Sequence, residues 1–492
     1  MSSDVLGPGS FAAARDRLAS EELDVLVVGG GITGVGTALD AVARGLRVGV
    51  VEAQDWAAGT SSRSSKLIHG GLRYLQTHDV ALVREALRER AVLSRLAPHL
   101  VRPLPLLFPL RRPIVDRVYL GAGVSLYDLL ARADRTARSA SASFPRHLRL
   151  SRRRAIELAP GLATDHLAGA IRFFDAQVDD ARYVVAVLRT AVGLGAVALS
   201  RSAVVALRRE GGRIVGATVR HLEDGTTTGT TDTPWVYDTA RPAATSADVS
   251  YLLKTLNGVL ADPLGSDDVE SAYVGIRPLI ASSGSETTRL SREHAVVRPV
   301  PGFVVVSGGK YTTYRVMAAD AVDAALRELG RPLAGSPTAD IPPAGAGPPP
   351  PALGAGIGLN HEMARRLYGR YGANAVEVVA LAEQDPALRA TVGGYLVAEL
   401  VYAVTHEDGR HLDDVLERRT RLAIETRDRG SAAAKVAANL IGPLLGWDAA
   451  TIEREVTAYR AGVTSMERAE RCASDAAATE VIAATPPLLR LP

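Results

Sequence analysis

Residues 24–34 read Asp-Val-Leu-Val-Val-Gly-Gly-Gly-Ile-Thr-Gly, and an acid, Glu52, follows one strand later. Val25 to Val28 is apolar throughout, as in a buried parallel strand. Gly29, Gly31 and Gly34 fall at G-x-G-x-x-G spacing. The first glycine permits a tight turn, the second lets the backbone approach a pyrophosphate, and the third lets a helix pack closely on the strand. The helix predicted over Ile32–Arg44 points its N-terminus at that anion, with free N–H groups and a favourable dipole. Arg47 to Val51 is a second apolar strand, closed by Glu52. A carboxylate there suits ribose hydroxyls and repels a 2′-phosphate, which argues against NADP. The glycine spacing alone also fits a ligand-free turn. Strand, helix, strand and acid in register point to an adenine dinucleotide.

Residues 60–75 read Thr-Ser-Ser-Arg-Ser-Ser-Lys-Leu-Ile-His-Gly-Gly-Leu-Arg-Tyr-Leu. A plain nicotinamide unit would continue into another βα repeat. Here the hydroxyls of Thr60, Ser61, Ser62, Ser64 and Ser65 suit diphosphate and ribityl oxygens, and Gly70 and Gly71 let the backbone lie close to a flat ring. A serine-rich loop also caps helices, and these residues alone leave both readings open.

A chain of 492 residues is too long for one core, so two or three domains are expected. Hydrophobic content of 47% places it among globular proteins. No apolar run reaches the roughly 18 to 20 residues of a spanning helix. The first residues lack the basic and apolar regions of a signal peptide, and the single cysteine, Cys472, excludes an intramolecular disulfide. The expected location is therefore cytoplasmic. A net charge of +3, without a basic stripe, does not suggest nucleic acid. Residues 102–130 mix apolar runs with Arg111, Arg112 and Arg117. They read as a buried helix pair with a basic turn, or as a segment resting on the inner face of a membrane.

The expected fold class is α/β. Residues 1–20 read as a flexible arm, 21–225 and 296–330 as a discontinuous Rossmann-like domain, and 226–295 as a small α+β remnant. Within these, 247–260 suggest a helix, 271–280 a strand, Phe303–Val306 a buried strand, and Tyr314–Leu329 a helix. Residues 331–358 form a Pro/Gly/Ala linker, 359–475 an all-α domain, and 476–492 a tail. His406, Glu407 and His411 stand at helical spacing, and the charged helix around them reads as a solvated or ion-paired face, with no metal.

The segments SSRSSKLIHGGLRYL, DAQVDDAR, GIRPL and SGGKYTTYR, together with YAVTHEDGRHLDDVLERRTR, resemble the FAD-dependent glycerol-3-phosphate dehydrogenase family. The likeness covers about residues 20 to 460. It implies non-covalent FAD and oxidation of sn-glycerol 3-phosphate, with hydride passing from C2 to flavin N5. Electrons would go to a quinone, or to oxygen in an oxidase. Docking at the cytoplasmic membrane surface and a homodimer are further expectations. An amino-acid oxidase would share the fold without explaining the helical C-terminal domain. One departure is large. The family's apolar strand ending in Ala-Thr-Gly and a Lys-Gly-x-His segment are missing between Thr228 and Gly229, a gap on the order of 70 residues, enough for several strands. A catalytically impaired flavoprotein is therefore an alternative.

The resemblance also assigns roles. Arg73 and Arg277 lie in motifs that line the substrate pocket, and arginine's planar fork suits phosphate. Tyr74 could donate to a substrate oxygen. His69 is the candidate base, because its ordinary pKa lies near neutrality. The family histidine in the missing segment is its rival. Lys310, after the Gly308-Gly309 turn and before a helix, would stabilise negative charge on the flavin or hold the phosphate, with Thr312 beside it.

Overall fold

A computed structural model describes residues 6–77, 79–112, 115–133, 144–222, 227–228, 242–276 and 294–485. Its first strands are β1 (Val25–Val28), β2 (Val48–Val51), β3 (Leu67–Ile68), β4 (Val101–Leu110), β5 (Leu148–Leu150) and β6 (Gly169–Val178). Next come β7 (Val197–Leu199), β8 (Ser202–Glu210), β9 (Arg213–His221), β10 (Thr227–Thr228), β11 (His294–Val300) and β12 (Phe303–Gly308). The helices outside the C-terminal domain begin with α1 (Pro8–Ser20), α2 (Ile32–Ala43), α3 (Val80–Leu96) and α4 (Val115–Ala133). They continue with α5 (Arg152–Leu158), α6 (Asp180–Gly193), α7 (Ser246–Asn257) and α8 (Tyr314–Glu328).

The glycine block folds as a β1–α2–β2 unit. β1 pairs in parallel with β2, and β2 with β7. Helix α2 lies against α6 on one side and α8 on the other, and their apolar faces join Val50 and Ile68 in the main core. The contact with α8 is close: a Cβ at Gly36 would lie 2.6 Å from the Tyr314 ring.

Two strands expected to be buried are not. β1 has β2 as its only strand partner among the described residues, and Val28 is 56% exposed. β12 pairs with β11 in a separate antiparallel hairpin and is half-buried. A strand buried in a parallel sheet needs a neighbour on each side, and among the described residues β1 has one. Helix α7 shows the same deficit, with Tyr251 at 71% and Leu252 at 65% exposure.

The segment expected as a helix pair also differs. Residues 101–110 form the long strand β4, antiparallel to β6 throughout, and only α4 is helical. Pro103, Pro105 and Pro109 bar a helix, and their odd-numbered spacing matches a strand. The sheet order β3-β6-β4 puts β4 at the edge, where missing N–H donors cost no ladder bonds. The N-terminal arm is helical as well, since α1 packs near β7 and a Cβ at Gly49 would meet Leu18 at 2.7 Å. Residues 271–276 carry no strand, and 277–280 lie outside the described residues. The stretch 331–358 has no long element, yet it is pinned: Arg315 Nη1 and Thr338 Oγ1 are bonded, and Ala344 N–H donates to Thr190 Oγ1 at 2.8 Å.

The C-terminal domain is helical, with His361–Tyr371, Ala375–Gln384, Val397–Thr405, Ser431–Ile441 and Ala449–Ala469 around two apolar clusters. Helix Asp475–Ala483 extends into the expected tail and buries Ala478 and Ile482. The charged segment around His406 is not a solvated face. Glu407 pairs with Arg182 at 2.6 Å, and His411 Nδ1 lies 2.7 Å from Glu455. Among the described residues no group could hold a metal ion.

Burial pushes the Glu407 carboxyl up, but Arg182, with Arg189 and Arg419 behind it, holds it below its ordinary value. A depressed carboxylate stabilises the fold above its unfolded pKa, about 4.3, and loses that contribution as pH falls through the folded value. Glu407→Gln is expected to cost about 3–5 kcal/mol at pH 7, the usual loss when one partner of a buried pair is removed. The difference should shrink as pH falls from 5 toward 3. Denaturant melts of both proteins across that range check it; a constant difference would contradict the assignment.

Candidate active site

The cradle for a diphosphate is built at the β1–α2 turn. Gly29 takes φ +111°, and the Cβ of any residue at Gly34 would fall 1.9 Å from the Gly29 carbonyl oxygen. The third glycine is thus required for the helix to touch the turn. A Cβ at Gly29 meets nothing within 4 Å, and one at Gly31 meets only Ser61, so the turn faces open space at the helix N-terminus. Ile32 N–H, in the first turn of α2, donates to Ser61 Oγ at 2.9 Å. Glu52 accepts from Gly30 N–H at 2.6 Å and Gln54 N–H at 2.7 Å. Burial raises its pKa, opposed by these two donors. An anion-ready helix end, an open glycine turn and a carboxylate aimed into it fit an adenine dinucleotide.

The hydroxyl-rich loop takes several jobs. Thr60–Ser62 is a single 3₁₀ turn, with Thr60 Oγ1 donating to the Ile276 carbonyl at 2.5 Å and Ser62 Oγ to Gly59 at 3.4 Å. Ser64 Oγ donates to Asp180 at 2.7 Å, and Lys66 Nζ lies 2.6 Å from the same carboxylate. The structure thus gives Ser64 a protein partner at the start of α6, while Ser65 faces solvent. Asp180 is absent from the sequence-predicted site, although the DAQVDDAR segment contains it.

The His69-Gly70-Gly71 corner meets the Gly308–Thr312 turn from the far end of the chain. His69 N–H donates to Thr312 Oγ1 at 3.3 Å. Lys310 Nζ sits 4.0 Å from the centre of the Tyr74 ring, a cation–π contact. Gly308 and Gly309 take φ +74° and +77°, which lets β12 turn into the helix without a Cβ clash. His69, Tyr74, Lys310 and Thr312 therefore converge. Arg73 lies on the turn Leu72–Thr77, its side chain outside the described residues, and Arg277 is outside them altogether.

Gly70 has a use that spacing did not show. Its N–H donates to Tyr127 Oη at 2.8 Å, and a Cβ there would lie 2.6 Å from that hydroxyl. Tyr127 donates in turn to Asp175 at 2.5 Å, and Arg90 pairs with Asp175 at 2.6 Å. This buried Arg90–Asp175–Tyr127 network fixes the corner from behind. A separate cleft of about 410 Å³ between β11 and α8 is lined by both signs of charge and by none of the predicted residues.

Residues 24–229 match the family described as FAD dependent oxidoreductase, and residues 312–452 match the C-terminal domain of alpha-glycerophosphate oxidase. The chain is 42% identical to glycerol-3-phosphate dehydrogenase of Mycobacterium leprae, covering 98% of this chain and 95% of that one. That alignment runs over 562 positions, whereas 98% of 492 residues is about 482, so about 80 positions have no residue here. The mitochondrial glycerol-3-phosphate dehydrogenase of Bos taurus is 32% identical over 90% of this chain and 73% of its own. In fold, the glycerol-3-phosphate dehydrogenase of Bacillus halodurans, solved with FAD, superposes with a TM-score of 0.73. It is 24% identical and covers 93% of this chain and 98% of its own.

Proposed function

The chain belongs to the FAD-dependent glycerol-3-phosphate dehydrogenase family, and from that premise we propose that it oxidises sn-glycerol 3-phosphate to dihydroxyacetone phosphate. It is an oxidoreductase and its cofactor is FAD. When bound, FAD supplies the acceptor at N5 for the hydride from C2. Gly29, Gly31, Gly34, Glu52 and the Thr60–Ser62 turn would hold it.

The chain's own residues do the rest. His69 takes the proton of the C2 hydroxyl. Its backbone is held by Thr312, so the imidazole starts from a fixed place. Lys310 faces the developing negative charge, and Tyr74 carries its ammonium group on the ring face. Arg73 and Arg277 hold the phosphate. A quinone takes the electrons onward, with oxygen as the alternative. No helix among the described residues is long and apolar enough to cross a membrane, so contact with a quinone pool would be made at the membrane surface. The observation that carries this reading is the meeting of the His69–Tyr74 segment with Lys310 and Thr312 in a chain that also builds the glycine cradle.

Anaerobic titration with glycerol 3-phosphate tests it: the flavin absorbance should bleach. The edge of β1, without a second strand among the described residues, favours a second reading, a flavoprotein that binds FAD and turns over slowly or not at all. Bound flavin that does not bleach would select it. Peroxide formed under air would select the oxidase. Arg73→Ala and Arg277→Ala should each weaken substrate binding by about 1.5–3 kcal/mol, the value of a charge-assisted hydrogen bond, while FAD stays bound. Unchanged affinity for glycerol 3-phosphate in both would remove them from the site.

A further inference from the structure

The loop from Glu52 to Ala58 carries the ribose carboxylate, yet its buried side chains find their partners in the C-terminal domain. Asp55 is 1% exposed. Arg419 grips it with both terminal nitrogens, at 2.6 and 2.7 Å, and Arg418 Nε adds a bond at 2.5 Å. Arg419 Nε also donates to the Glu407 carbonyl at 2.9 Å, which locks the fork in place. Trp56 is fully buried, and its indole N–H donates to Asp408 Oδ2 at 2.8 Å. Asp408 takes φ +54° to present that oxygen, which also accepts from Ser200 Oγ at 2.7 Å.

These contacts end at the glycine turn. The Trp56 ring walls Gly30 so closely that a Cβ there would lie 2.5 Å from it. Ala57 N–H donates to the Gly30 carbonyl at 3.0 Å, and Gly30 N–H donates to Glu52. Asp408 is thus joined to Glu52 through Trp56 and Gly30, and Arg419 holds the same loop at Asp55, three residues after Glu52.

We propose that Arg419 and Asp408 are positioning residues for the adenosine ribose of FAD, acting through Asp55 and Trp56 on the Glu52 carboxylate. The proposal rests on the reading of Glu52 as the ribose acceptor. It makes the helical domain a working part of the cofactor site, although its residues lie more than three hundred positions away along the chain. Lysine at 419 would keep the charge and lose the fork. Phenylalanine at 56 would keep the ring and lose the N–H donor.

The test uses deflavo-protein titrated with FAD and with an FAD analogue lacking the adenosine 2′-hydroxyl, followed by flavin fluorescence. In the unmodified protein the analogue should bind about tenfold more weakly or worse, the loss of one hydrogen bond to a charged acceptor. Arg419→Lys and Trp56→Phe should bind FAD about tenfold more weakly, and the penalty for the missing hydroxyl should shrink to roughly threefold or less. Glu377→Gln breaks an Arg189 pair elsewhere in the same domain and should leave the penalty unchanged. Thermal melts of each deflavo-protein identify the folded variants. A folded Arg419→Lys or Trp56→Phe with the full penalty would overturn the proposal, because a purely structural clamp does not sense the hydroxyl. An unmodified protein with no penalty would overturn it at Glu52. One that binds no FAD would remove the cofactor reading beneath it.

Discussion

A chain with a family-like segment restored between Thr228 and Gly229 is expected to melt higher and turn over faster than the present one. β1 ends in an exposed Val28, with one neighbouring strand among the described residues. Helix α7 turns Tyr251, Leu252 and Leu256 to solvent. Covering a large apolar side chain is worth about 1.5–3 kcal/mol, so several together give on the order of 5 kcal/mol. At 2–4 °C per kcal/mol that is a shift of roughly 10 °C. A bare strand edge and an apolar helix face also invite association, which restoration should suppress in light scattering. The catalytic gain should exceed about tenfold in kcat/KM, or 1.4 kcal/mol of barrier, because the missing segment would close part of the substrate cavity. Equal melting temperature and equal activity in the two chains would show that the segment is dispensable.

Gly34→Ala is expected to lose FAD and to melt well below the unmodified protein even without cofactor. Its Cβ would sit 1.9 Å from a backbone oxygen, and no side-chain rotation relieves that contact. The turn must open, at a cost of about 1–3 kcal/mol or more, and FAD affinity should fall at least about a hundredfold. Gly31→Val should behave differently. Its added atoms meet the Ser61 hydroxyl at 3.1 Å and then open space, so the deflavo-protein should keep its melting temperature while the pyrophosphate position is blocked. Paired melts and FAD titrations separate the two effects. A Gly34→Ala protein that binds FAD like the parent would sink the account of the turn.

Much of the site was legible because it depends on local geometry. The glycine spacing, Glu52 at the end of β2 and the Gly308-Gly309 turn are short-range patterns that few conformations satisfy. His69 and Lys310 are candidates through motif resemblance alone, and the fold sets the His69 backbone against Thr312 and Lys310 against Tyr74. What escaped was the support behind them. Arg90, Tyr127 and Asp175 are far apart in sequence and look like ordinary helix and strand residues. Only the pairing of β6 with β3 and β4 brings Asp175 under Gly70. The strand β4 escaped for another reason: its apolar run reads as half of a helix pair, whereas prolines at 103, 105 and 109 suit an edge strand.

By itself the sequence determined the α/β dinucleotide unit and the helical C-terminal domain, because periodicity, glycine positions and composition act within a few residues. Tertiary structure decided how exposed each part became and what each charge does. β1 is apolar enough to be buried and is an edge among the described residues, since burial depends on a neighbour that the strand cannot supply. His406, Glu407 and His411 sit in a charged stretch that reads as solvated or ion-paired, and the fold chooses the second: Glu407 is buried against Arg182, and His411 meets Glu455. A charge leaves water only when a partner waits for it, and those partners come from α6 and from helix Ala449–Ala469, which only the assembled fold places there.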